Sequence, residues 1–72
     1  MTAPTIDQLT HVMSEDVYMP IATLTANVAG MWRIKTENKE VRQTLKSMIR
    51  RGLVDVTAGM GGSPAKYKLR RV

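Results

Sequence analysis

Residues 41–67, VRQTLKSMIRRGLVDVTAGMGGSPAKY, contain an amphipathic helix, a glycine stop and two short apolar runs joined by a glycine-rich turn. Val41, Leu45, Met48 and Ile49 recur at the three- and four-residue spacing that lines one side of a helix. Gly52 stands where a helix-terminating glycine belongs. At about 100° per residue, with Lys39 set at zero, Lys35, Arg42, Gln43, Lys46 and Arg50 fall within about 60° on either side. The four apolar residues take roughly the opposite third. Beyond the glycine, Leu53–Thr57 reads as a strand. Ala65–Arg70 reads as a second strand, with Ala65, Tyr67 and Leu69 on one face and Lys66, Lys68 and Arg70 on the other. Residues 58–64, AGMGGSP, between them read as a turn.

Working back toward the N-terminus, Thr36 is the expected cap of this helix, with Glu37 and Glu40 near the positive end of its dipole and Arg50 and Arg51 near the negative end. An earlier helix starts at Pro20, whose missing N–H costs nothing at that position. Its inner stripe is Ile21, Leu24 and Val28, extended by Met31, while Thr23, Thr25 and Asn27 face outward. Gly30 marks its expected end, although Met31 and Trp32 could carry it one turn further. A first helix is expected over Thr5–Glu15. Thr5-Ile6-Asp7-Gln8 has the spacing of a capping box, and Ile6, Leu9, Val12 and Met13 repeat with helical period. Asp16–Met19 is β-leaning and precedes proline, so it reads as an extended link or a brief edge strand.

Seventy-two residues make one domain, 1–72, with an economical core. The chain starts at Met1 without a tag, as a complete small protein would. It has no Cys and one His, which removes disulfides, thiolate nucleophiles and the usual zinc ligand sets. No phosphate-cradling GxxxxGK[ST] loop or Ser–His–acid set is present, so the sequence reads as a non-enzyme without metal or cofactor. No run approaches the length of a membrane span, and no leader is visible, which fits a cytoplasmic protein. Charge is split along the chain. Residues 1–32 hold three acids and no Lys or Arg, a balance of −3, and residues 33–72 hold eleven basic residues against three acids, a balance of +8. One cationic side on a small domain is the footprint of a phosphate-backbone partner.

The order helix, short strand, helix, helix, hairpin resembles the winged helix-turn-helix family of DNA-binding domains. The resemblance rests on Val41, Leu45, Met48, Gly52, Leu53 and Val54, and on Ala65-Lys66-Tyr67-Lys68-Leu69 as a returning strand. Nearly the whole chain is covered, and its size is similar to small bacterial or phage regulators of the PapI/FaeA type. The resemblance implies an α+β winged helix, with three helices and a C-terminal β-hairpin wing, that regulates transcription by binding double-stranded DNA, associated with the nucleoid. Asn38, Lys39, Arg42 and Gln43 are then the expected base readers, since Arg and Lys suit guanine and Asn and Gln suit adenine. Lys35, Lys46 and Arg50 are expected on phosphates, with Thr36 offering its hydroxyl or the helix N-terminus, and Lys66 and Lys68 adding charge from the wing. The wing tip departs from the pattern, having no Lys or Arg between Gly59 and Ser63. The segment before the third helix is also longer than the family's tight turn. A protein-interaction adaptor without direct DNA binding is the alternative. Action as a monomer, as a homodimer through the first helix, or with a larger protein partner stays open.

Among single residues, Trp32 is expected in packing rather than on a base. Tyr18 and Tyr67 are expected to face each other near the sheet. His11 is expected at the surface or as a cap, Glu15-Asp16 in a solvated turn, and the methionines as fillers of core gaps.

Overall fold

A computed structural model describes residues 2–57 and 65–70. The first helix, α1 (Ile6–Val12), opens with the reciprocal cap expected of Thr5 and Gln8. The Gln8 backbone N–H donates to Thr5 Oγ1 at 3.1 Å, and the Thr5 N–H donates to Gln8 Oε1 at 2.9 Å. The helix stops three residues before the expected Glu15. Met13 is already extended at φ −90° and ψ 156°. Ser14 Oγ then accepts from the backbone N–H groups of Asp16 and Val17 at 3.0 and 3.2 Å. A serine that takes up local backbone donors in this way competes with the helix.

Extension resumes in β1 (Met19–Pro20), later than the Asp16–Met19 stretch that the sequence suggested. Pro20 caps α2 (Ile21–Trp32), which runs straight through Gly30. The helix ends instead at Arg33, in the left-handed region at φ 53° and ψ 47°. The backbone N–H groups of Arg33 and Ile34 both donate to the Ala29 carbonyl, the latter at 3.2 Å. This is the geometry a helix stop normally builds on glycine.

The third helix, α3 (Asn38–Arg50), begins one residue later than expected, with Glu37 rather than Thr36 as its cap. The Glu37 N–H donates to Glu40 Oε2 at 3.3 Å, and the Val41 N–H donates to the Glu37 carbonyl at 3.1 Å. Gly52 ends the helix as the sequence indicated, at φ 73°. Its N–H donates to Ile49 C=O at 3.0 Å and that of Leu53 to Met48 C=O at 2.9 Å, so two orphan carbonyls are satisfied at once.

Strands β2 (Val54–Thr57) and β3 (Lys66–Leu69) form the hairpin, and β3 lies between β1 and β2 in a three-stranded antiparallel sheet. Met19 opposes Tyr67, and Val54 and Val56 oppose Leu69 and Tyr67. Proline at an outer strand removes no bond the sheet needs. The turn and wing-tip features expected at 58–64, Met60 included, lie outside the described residues.

Helix α2 packs against β1 and α3 against β2, and α1 packs on both of these helices. Leu9, Met13, Ile21, Leu24, Val28, Val41, Leu45, Met48 and Val54 form the buried centre. Trp32, Tyr67 and Leu69 close over it, half-buried. Met13 and Met48 fill the core as expected, while Met31 is exposed and does not extend the α2 stripe. On α3 the inward positions are Val41, Thr44, Leu45 and Met48. Ile49, expected inside, is 42% exposed, and Thr44 replaces it at 8%. The fold is therefore α+β, with three helices and a three-stranded antiparallel sheet. Among the described residues no helix is long and apolar enough to cross a membrane.

Candidate nucleic-acid interface

The buried stripe of α3 decides where its charges go. With Val41, Thr44, Leu45 and Met48 turned inward, the helix must present Lys39, Arg42, Gln43, Lys46 and Arg50 on its outer side, and all five are exposed, as is Asn38. Among the described residues none of Lys39, Arg42, Lys46 and Arg50 takes part in an ion pair or a side-chain hydrogen bond, unlike Arg70, whose Nε donates to Asp55 Oδ1 at 2.8 Å. Four cations and an amide thus share one helix face with no internal counter-charge. Such a face raises the local concentration of phosphate-bearing partners.

The N-terminal end of α3 differs in character. Glu40 already supplies the carboxylate that satisfies the Glu37 N–H, and Glu37 itself caps the helix. An anion is therefore in place where a phosphate would have to dock. Thr36 Oγ1 is shielded from solvent and has no hydrogen-bond partner. The cap role expected of Thr36 falls to Glu37 instead. Lys35 lies in the turn before α3 and not on the helix, so the helical phase assigned to it does not apply. It is exposed, and its carbonyl accepts from Thr2 N–H at 2.9 Å.

The two lysines of β3 belong to another surface. Tyr67 and Leu69 pack on the core, so alternation turns Lys66, Lys68 and Arg70 to the outer face of the sheet. Lys68 Nζ sits 4.8 Å from the ring centroid of Tyr18, and Asp55 is directly opposite on β2. Tyr18 therefore meets Lys68, while Tyr67 is flanked by Met19 and Val56. The expected Tyr18–Tyr67 pair does not form, because adjacent positions on a strand point to opposite faces. Lys66 remains exposed, while Lys68 is half-buried with its charge already engaged by the ring.

Trp32 meets His11 edge to face, with ring centroids 5.6 Å apart and planes at 77°. This contact joins the C-terminal ends of α1 and α2, consistent with the packing role expected of Trp32. The exposed His11 was expected at the surface, but its aromatic partner, twenty-one residues on, was not foreseen. Among the described residues no group of three or more His, Cys, Asp or Glu side chains could hold a metal ion. No family model matches the chain, and no curated protein or solved structure matches it.

Proposed function

We propose that this domain is a winged helix that binds double-stranded DNA sequence-specifically and regulates transcription, within the cytoplasm at the nucleoid. The observation that carries the proposal is the outer face of α3, where Lys39, Arg42, Gln43, Lys46 and Arg50 stand exposed and, among the described residues, form no ion pair. A major groove about 12 Å wide admits one helix, and side chains on its outer arc meet base edges and phosphates. The arrangement of three helices and a sheet in the order β1-β3-β2 supports the winged-helix assignment.

Within this scheme Arg42 and Gln43, about one and a half turns beyond the acidic cap at Glu37, are the central base readers, with Lys39 and Asn38 beside them. Lys46 and Arg50 meet phosphates on the following turns. Lys35 and Lys66 add backbone contacts from the turn and the hairpin. Lys68 contributes less, since its charge is held over Tyr18.

Selection of bound sequences from random duplexes supplies the target, and its symmetry reports stoichiometry. On that target, Arg42→Ala or Lys39→Ala weakens specific binding by about 1–3 kcal/mol each. Affinity unchanged by both substitutions, together with insensitivity to salt, would remove the proposal.

A further inference from the structure

The segment ahead of α1 is tied to the α3 region at two points. Thr2 N–H donates to the carbonyl of Lys35, in the turn before α3, at 2.9 Å. Thr44 Oγ1, on the inner side of α3, donates to the carbonyl of Pro4 at 2.6 Å, a buried bond between residues forty apart. The next residue, Thr5, caps α1. Residues 2–5 therefore run from the α2–α3 turn, past the inner side of α3, to the start of α1.

The chemistry of this segment is matched to its position. Pro4 is buried and has no N–H, so it brings a single backbone group, its carbonyl, into the interior. A buried carbonyl without a donor is costly, and Thr44 supplies the donor. This accounts for a threonine at a position that the apolar stripe of α3 would otherwise give to a hydrocarbon. The remaining inward residues of α3, Val41, Leu45 and Met48, make only apolar contacts. Apolar burial is non-directional and fixes the rotation of a helix about its axis poorly, whereas a short hydrogen bond has a preferred line.

We propose that residues 2–5 act as a positioning strap for α3, with Thr44 as its anchor, so that the strap sets the discrimination between specific and non-specific DNA. The inference rests on the DNA-binding function proposed above. Phosphate contacts tolerate a small rotation of the helix, but base-edge contacts require placement within roughly 10–20°. Loosening the strap therefore lowers specific affinity and leaves non-specific affinity in place.

The test compares wild type, Thr44→Val and Thr44→Ser, all at a temperature where circular dichroism shows each folded. Fluorescence anisotropy gives affinity for the selected duplex and for an unrelated one, and amide hydrogen exchange is followed at residues 37–41. Thr44→Val preserves shape but removes the donor. It is expected to lose about tenfold in specific affinity, to stay within about twofold on the unrelated duplex and to exchange faster at residues 37–41. Thr44→Ser, which keeps the hydroxyl, is expected to restore both properties. Equal losses on both duplexes, or a specific affinity for Thr44→Val equal to that of wild type, would overturn the strap. If wild type itself binds no duplex, the DNA function fails separately; the strap is then judged by exchange, and unchanged protection in Thr44→Val overturns it.

Discussion

Replacing Gly30 by alanine is expected to stabilise the domain, although glycine at that position reads in the sequence as a helix end. Gly30 lies inside α2, two residues before its last residue Trp32, with no positive φ to demand glycine. A Cβ built there meets no heavy atom within 4 Å. Nothing in the described structure would resist the methyl group. The helix stop sits at Arg33 and Ile34, whose N–H groups already bond to Ala29, so alanine disturbs no cap. Gly costs about 0.8–1.0 kcal/mol relative to Ala within a helix, and a position in the last turn reduces this, so the gain is about 0.5–1 kcal/mol. At about 2.1 cal/mol/K per residue, the unfolding entropy of 72 residues is roughly 150 cal/mol/K near the midpoint. The melting temperature should rise by about 3–7 °C, read by circular dichroism at 222 nm under fixed protein concentration. A fall in Tm would refute the reasoning, because it would mean that another surface approaches α2 where the described chain leaves open space.

Three further substitutions probe the same framework. Arg33→Gly relieves a left-handed backbone at φ 53° and should stabilise by about 1 kcal/mol in denaturant titration; a loss would show that the Arg33 side chain contributes more than its backbone costs. Leu45→Ala empties a fully buried site where α3 meets the core and should cost about 2–5 kcal/mol, enough to unfold much of a domain this small near room temperature; a drop in Tm under about 5 °C would contradict the core assignment. Asp55→Ala removes the partner of Arg70, but the two side chains are 34% and 54% exposed, so stability should change by no more than about 0.5 kcal/mol at physiological salt; a larger loss would mean that this pair is less screened than its exposure implies.

Much of the fold was readable because local signals and packing agree at particular residues. Thr5 and Gln8 cap each other, Pro20 opens α2, Gly52 closes α3, and Tyr67 and Leu69 face inward from β3. The departures have identifiable causes. Ser14 captured two backbone donors and shortened α1, an effect of one side chain that a periodic pattern does not register. Arg33 took the left-handed stop that the sequence offers to Gly30, because the core contact of Trp32 holds the helix one turn longer. The exchange of Ile49 for Thr44 was not legible from periodicity. At about 100° per residue, Ile49 and Thr44 both lie roughly 70° from the centre of the stripe formed by Val41, Leu45 and Met48, on opposite sides of it. Hydrophobicity favoured the isoleucine; the carbonyl of Pro4, forty residues away, favoured the threonine.

The candidate site divides along the same line. The exposed face of α3 followed from periodicity, since seating four inward residues leaves Lys39, Arg42, Gln43, Lys46 and Arg50 nowhere else to point. What periodicity could not convey were contacts between distant segments. The ring of Tyr18 under Lys68, the shielded hydroxyl of Thr36 and the bond from Thr2 to Lys35 depend on how the elements meet. These contacts place the weight of the proposed interface toward the middle of α3, away from its acidic cap.

The most direct measurement is an NMR titration of the labelled protein with a duplex carrying the selected sequence, at two salt concentrations. The DNA-binding account predicts shifts concentrated at Lys39, Arg42, Gln43, Lys46 and Arg50, with affinity falling steeply as salt is raised. Shifts on α1 with none on α3, or binding indifferent to salt, would contradict it.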